Sequence, residues 1–262
     1  MIVTIGDLLL DVIVRLGQPL AEGADADAVT QLGPGGQAAN VAAWVAELGG
    51  EARFVGKLAD DEAGGIAARA LERYGVDVRG PVVSGRTGTV VSLVGVDGER
   101  TMASDRGVSP DLRVEELDPD WFLDERLHIP GYSLMRSPID EAALEAARHA
   151  ELVSVDLSSW SAIRDFGPER FRARLEALAP DVVFANEAEE EIVGGRIRGT
   201  MWIVKRGSRG ARFGEDDVPA GKATVVDTTG AGDAFAAGWW LGGADMALEA
   251  AARCVAKLGS MP

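Results

Sequence analysis

Residues 227–240, DTTGAGDAFAAGWW, place two glycines and two aspartates in their first seven positions and then turn apolar and helix-favouring. A Gly-rich turn that opens a helix is an anion cradle, because the first helical amides have no partner within the helix and point outward. Gly230, Ala231 and Gly232 leave those amides clear of bulky side chains. Asp233 follows at once. A carboxylate in the first turn gains about 0.3–1 kcal/mol from the helix dipole, so it has a structural reason to be there. It also stands where an alcohol attacking a cradled phosphoryl group must lose its proton, a step in which a general base is worth roughly 10²–10⁴-fold in rate. The spacing therefore fits phosphoryl transfer, with residues 230–232 as anion hole and Asp233 as base. An ordinary helix cap built by Asp227 or a threonine, with glycines that merely permit the turn, fits the same residues.

Other phosphate-binding patterns are absent from the sequence. There is no G-x-x-x-x-G-K-[ST], and GPGGQAAN (33–40) is not G-x-G-x-x-G, so a P-loop or a dinucleotide fold fits poorly. In FANEAEEE (184–191), Asn186 and Glu189 have the spacing of a capping box. VKRGSRGA (204–211) reads as strand, turn, strand, with Gly207 and Gly210 making the turn.

These residues need elements to hold them. Strands are expected at IVTI (2–5), ARFVGKL (52–58), RLHIP (126–130), LVSVDL (152–157), DVVFA (181–185) and MWIVK (201–205), and a further one at Thr224–Val226 ahead of a helix over Ala231–Leu241. Helices are expected at Gln37–Leu48, where Val41, Val45 and Leu48 recur at helical spacing, and at Ile139–Ala150. That alternation predicts an α/β fold, a mostly parallel central sheet with helices on both faces. Two β-rich stretches break it, at about 11–32 and 82–105, and Asp97-Gly98 is a strong hairpin signal in the second. They predict a small separate sheet.

The chain has 262 residues, 47% of them hydrophobic, enough for one main core, and one domain over 1–262 is expected. A net charge of −16 argues against a nucleic-acid or anionic-membrane partner, both of which require a basic face. No apolar run is long enough to span a membrane and the N-terminus lacks the pattern of a signal peptide, so a cytoplasmic protein is expected. One cysteine and two histidines exclude a disulfide framework and a thiolate zinc site.

DTTGAGDAFAAG (227–238) resembles the C-terminal signature of the ribokinase-like, or phosphofructokinase-B, carbohydrate and nucleoside kinases. GPGGQAANVAAWVAELGG (33–50), followed by FVGKLADDEAGG (54–65), resembles their N-terminal signature. Motif order and separation agree over nearly the whole chain. The resemblance implies ATP-dependent phosphorylation of a small alcohol on a ribokinase-like fold with a small β-sheet lid. It implies Asp233 as catalytic base and Gly230, Ala231 and Gly232 as anion hole. Asn186 and Glu189 would help place Mg²⁺, often through water, since this ion gives up hydration reluctantly. Lys205, Gly207 and Gly210 would lie beside the nucleotide, with Arg206 and Arg209 near them and Asp227 and Thr228 flanking. In some relatives a monovalent cation such as K⁺ sits behind the anion hole, near the positions of Asp227 and Thr229.

At the acceptor end the resemblance implies that Asp11 and Asn40 hydrogen-bond substrate hydroxyls, while Gly35 and Gly36 let the backbone come close. Taken alone, Asp11 reads as a turn residue and Asn40 as a polar residue on a helix face. Arg106 could meet a substrate carboxylate or phosphate, or merely pair with a surface acid. Gln37-Ala38-Ala39 replaces a lysine-glycine-alanine pattern of ribokinase itself, so ribose is not implied. The acceptor class is a sugar, sugar acid or nucleoside. A sugar kinase leads, a nucleoside kinase is the alternative, and a catalytically idle sugar or nucleotide sensor is the reading from another class. A homodimer formed through the lid is a further implication of the resemblance.

Overall fold

The computed structural model describes residues 1–96 and 100–262. The chain runs β1 (Ile2–Ile5), β2 (Leu9–Leu16), β3 (Ala28–Gly35), α1 (Gln37–Glu47), β4 (Ala52–Val55), β5 (Leu58–Ala59), α2 (Glu62–Arg73), β6 (Asp77–Arg79), β7 (Val82–Val83), β8 (Thr87–Val94) and β9 (Arg100–Gly107). It continues through β10 (Arg126–Pro130), α3 (Gly131–Leu134), α4 (Ile139–Ala147), β11 (Leu152–Asp156), α5 (Trp160–Phe166), α6 (Pro168–Leu178), β12 (Val182–Asn186), α7 (Glu187–Ile192), β13 (Met201–Lys205), β14 (Ala211–Phe213), β15 (Asp216–Val218) and α8 (Ala231–Val255).

Nine strands form the main sheet, in the order β15-β14-β13-β12-β11-β10-β1-β4-β6. From β13 to β6 every pair is parallel, and only the hairpin strands β14 and β15 run antiparallel. Parallel strands need both faces covered, and they are. On one face Ile5, Ile129, Val155 and Trp202 pack with residues of α3 to α7. On the other, Phe54 packs with α1 and α8, whose Ala38, Ala42, Ala234 and Ala237 let the two helices approach closely.

The chain order reverses at β1, which lies between β10 and β4. In open α/β sheets a crevice forms outside the carboxyl ends of the strands at such a reversal. Here those ends deliver Gly6 and Asp7 after β1, Pro130 from β10, Asp156 from β11, Asn186 from β12 and Lys205 from β13.

The expected small sheet is present, with order β3-β2-β8-β9 and a parallel pairing of β2 with β8. Its strands reach beyond the expected limits, starting at Leu9 and ending at Gly35 and Gly107. Asp97-Gly98 lies outside the described residues, but β8 and β9 pair antiparallel as a hairpin requires. Val82–Val83 belongs elsewhere, in a two-stranded piece with Leu58–Ala59.

Two boundaries differ from expectation. ARFVGKL is not one strand: Gly56 separates β4 from β5, and a Cβ there would lie 2.6 Å from the Gly6 carbonyl oxygen. Thr224–Val226 forms no strand, because β15 already ends the sheet and Val226 N instead donates to Val255 O at the end of α8. The first helical stretch of α8 ends at Leu241 as expected, and after non-helical backbone at Gly242 and Gly243 a second stretch runs on to Val255. No described helix is long and apolar enough to cross a membrane.

Candidate active site

The turn before α8 is built by two devices. Asp227 accepts from Thr229 N (2.7 Å) and Thr229 Oγ1 (2.8 Å) through Oδ1, and from Gly259 N (2.9 Å) through Oδ2, fastening the turn to the last segment. Gly230 is the N-cap residue at φ +76°, in the left-handed region that favours glycine. A Cβ on it would lie 2.7 Å from Ser260. No side chain caps this helix, and neither Asp227 nor a threonine plays the capping role; Ala231 N donates to Thr228 O at 3.4 Å, while the amides of Gly232 and Asp233 keep their outward donors.

Asp233 is buried, and its carboxylate is held from the opposite helix by Asn40, whose Nδ2 donates to Oδ2 at 2.7 Å. Asn40 is oriented in turn by Ser260, whose Oγ donates to its Oδ1 at 3.1 Å, and Trp44 Nε1 donates to Ser260 O at 2.8 Å. Burial pushes the Asp233 carboxyl up to about 7 against the pull of its hydrogen bonds from Asn40 and Gln37, with Asp156 adding to the rise and Lys205 opposing it. A base whose pKa lies near the working pH is the form best matched to proton transfer.

Lys205 Nζ donates to Asp156 Oδ2 at 2.5 Å. Burial alone would lower this ammonium, but Asp156 and Glu189 outweigh it and hold the charge on. Lys205, Gly207, Gly210, Thr228, Ala231 and Gly232 line the polar part of a cavity of about 690 Å³, whose other wall is Phe235, Leu248, Ala251 and Val255. An apolar slot that ends on bare helical amides and a lysine has the chemistry of a nucleotide site. Asp227 lies beside it, on a second cavity of about 830 Å³ between residues 225–228 and the far end of the small sheet. Arg206 and Arg209 both face Glu187, and Arg206 also pairs with Asp217, so both are committed to acids of the protein.

Asn186 and Glu189 form the full capping box of α7, with Glu189 N donating to Asn186 Oδ1 (2.9 Å) and Asn186 N to Glu189 Oε2 (2.8 Å). Burial raises the Glu189 carboxyl while Lys205 lowers it. Among the described residues no three His, Cys, Asp or Glu side chains could hold a metal ion. That donor set fits Mg²⁺ bound largely through water and phosphate oxygens, since both side chains retain acceptor lone pairs beyond their capping bonds.

Asp11 is in the middle of β2, paired with Gly33 and Val90, rather than at an edge of the small sheet. Its Oδ1 is buried without a hydrogen-bond partner, and burial pushes the carboxyl up to about 7. Gly35 gives it room, since a Cβ there would overlap the Asp11 carboxylate. Gly36, at φ +96°, lets the strand turn into α1 hard against the Asp7 carbonyl oxygen. Arg106 is not on the surface. Its guanidinium pairs with buried Asp7 and lies 4.2 Å from the Tyr132 ring centroid.

Sequence reasoning missed Asp7, Asp156 and Ser260, and took Gln37 only as a departure from a pattern. Asp156 had a usable signal, because it is the last residue of a strand in a parallel sheet. Ser260 had none, since only the folded chain brings it beside Asn40.

A model described as pfkB family carbohydrate kinase matches residues 1–261. An ATP-dependent ribose-1-phosphate kinase of Halopiger xanaduensis is 35% identical, covering 97% of this chain and 90% of its own length. Fructokinase-1 of Oryza sativa subsp. japonica is 34% identical, over 90% of this chain and 80% of that protein. Among solved structures, an adenosine kinase from Sinorhizobium meliloti superposes with a TM-score of 0.85 at 25% identity, covering 100% of this chain and 95% of that one.

Proposed function

This chain belongs to the pfkB family carbohydrate kinases, and from that premise we propose that it transfers the γ-phosphoryl group of ATP to a hydroxyl of a small sugar, with Asp233 as the base. That it is an ATP-dependent sugar or nucleoside kinase follows from the family and its relatives. The observation that carries the finer reading is the buried Asp233 carboxylate, held by Asn40 beside the uncapped amides of α8 and the Lys205 ammonium.

In this reading ATP occupies the cavity beside Phe235 and Leu248, with its terminal phosphate at Gly230, Ala231 and Gly232. Asp11, whose Oδ1 is a buried acceptor with no donor of its own, binds a sugar hydroxyl, and Gly35 and Gly36 allow the close approach. Asp233 takes the proton of the attacking hydroxyl, its oxygen bonds to the γ-phosphorus, and the bond to the β-phosphate oxygen breaks to release ADP. Asn186 and Glu189 would hold Mg²⁺, which would supply positive charge to the phosphates. The small sheet acts as a lid, closing over the acceptor and keeping water from the transferring group. Arg106 supports that lid at its base through Asp7 and Tyr132.

A nucleoside acceptor is the second reading. The large cavity between the small sheet and residues 225–228 favours it, because Leu16, Val29, Val94, Val225 and Val226 line it and suit a base. A panel of sugars, sugar acids and nucleosides coupled to ADP detection tests both. A sugar as the best acceptor supports the first reading, and a nucleoside replaces it with the second. Failure of every acceptor leaves the base without a task and removes the proposal.

A further inference from the structure

Asp156 ends β11 at the carboxyl edge of the sheet and is 1% exposed. Both its oxygens are used: Oδ1 accepts from Ser158 N at 2.9 Å and Oδ2 from Lys205 Nζ at 2.5 Å. Ser158 sits at φ +70°, a costly conformation for a non-glycine residue, and is fixed there by Gly131 N, which donates to its Oγ at 2.8 Å, and by its own bond to Gln37 Oε1 at 2.5 Å. The carboxylate is thus rigidly mounted, and it holds the lysine in turn. A Cβ added to Gly232 would lie 3.1 Å from Lys205 Nζ, so the ammonium rests against the phosphate turn itself.

Charge explains the use of this arrangement. Asp156, Glu189 and Asp233 all act electrostatically on Lys205, so three carboxylates surround the place where a polyphosphate must enter. A single mobile lysine in that setting would be drawn to Asp233 and would tie up the base. Asp156 keeps it apart. We propose that Asp156 is a positioning residue that fixes the Lys205 ammonium beneath Gly232, where Lys205 meets the charge gathering on the transferring phosphoryl group and leaves Asp233 free to take a proton. The inference rests on the phosphoryl-transfer reading above. Only four of the chain's 26 basic side chains are lysines, and at this position a compact ammonium fits beneath the turn as a point charge where a planar arginine fork would need more room.

The test separates transition-state from ground-state binding. Asp156→Asn keeps the shape and leaves Lys205 a neighbouring carboxylate in Glu189. It should lower kcat by about 10²-fold, as expected for losing one preorganised electrostatic contact, while KM for ATP stays within about twofold. The variant should bind MgADP as the wild type does but lose the extra affinity that aluminium fluoride confers as a mimic of the phosphoryl group in transfer. Lys205→Met should behave alike, and the double variant, which removes the pair together, guards against misfolding from a lone buried charge. A kcat within twofold of wild type in Asp156→Asn, or a raised KM with unchanged kcat, overturns the proposal. The aluminium fluoride comparison needs no acceptor, so it scores this inference even if the acceptor panel fails.

Discussion

Asn40 Nδ2 stands 2.7 Å from Asp233 Oδ2, joining α1 to α8 across 193 positions of the chain. The bond holds the carboxylate in a buried setting where its charge is costly. Asp233→Asn removes that cost and keeps an oxygen for Asn40. The variant should lose at least about 10²-fold in turnover through loss of the base. It should also melt several degrees higher than wild type at pH 8, since about 1 kcal/mol moves a domain of this size by roughly 2–4 °C. Steady-state ADP release and thermal unfolding check the two halves. Wild-type turnover in the variant would remove the base from the mechanism.

The pH dependences of activity and stability should oppose each other. Burial raises both Asp11 and Asp233 from 3.8 to about 7, so each binds a proton more tightly folded than unfolded. Between about pH 4 and 7 the folded state therefore holds more protons, and stability falls as pH rises through that window. With Asp233 as the proposed base, activity needs it without its proton, so kcat/KM for the acceptor should climb through pH 7 and level off above it. Denaturant unfolding and initial rates over pH 5–9 measure both. Parallel curves would contradict the buried-base assignment.

How much of this could be read beforehand depended on whether the signal was local. The uncapped turn into α8 was legible because its glycines and first-turn aspartate are neighbours in sequence, and the strand MWIVK was found at its observed limits, Met201–Lys205. Thr224–Val226 looked like a strand because threonine and valine favour one, yet Val226 N is bound to Val255 O at the end of α8. The capping box at Asn186 was equally plain, and there the structural reading and the metal reading describe the same atoms. Asp7, Asp156 and Ser260 meet their partners Arg106, Lys205 and Asn40 across 99, 49 and 220 positions of the chain. No window of sequence contains both members of such a pair.

Two glycines of the turn should fail in different ways. At Gly230 an alanine meets Ser260 at 2.7 Å and must adopt φ +76°. Gly230→Ala should cost about 1–2 kcal/mol for the backbone alone, with the collision added. At Gly232 the nearest atom is the tip of Lys205, which can move. Gly232→Ala should fold normally and bind ATP weakly, because its methyl group fills the cradle. Melting temperature and nucleotide titration distinguish the two, and a stable Gly230→Ala variant with intact ATP binding would refute the account of the turn.

Arg106 and Asp7 form a buried pair, so removing one side should be worse than removing both. Arg106→Ala should lose about 3–5 kcal/mol, the usual result of leaving an uncompensated buried charge, whereas Arg106→Met with Asp7→Asn should recover much of it. Chemical denaturation of the three proteins measures the coupling. A double variant no more stable than Arg106→Ala would mean that the pair does not act as a unit.

If the small sheet is a lid, hydrolysis of ATP without acceptor should be slow, because water alone cannot favour closure. Phosphate release with and without the best sugar measures this. Comparable rates would mean that the site admits solvent freely during transfer.

The hydrogen bonds of Gly259 to Asp227 and of Ser260 to Asn40 bind two distant parts of the site to one short segment beyond α8. A disturbance of that segment therefore reaches the turn before α8 and the donor to Asp233 together, and neither can loosen alone.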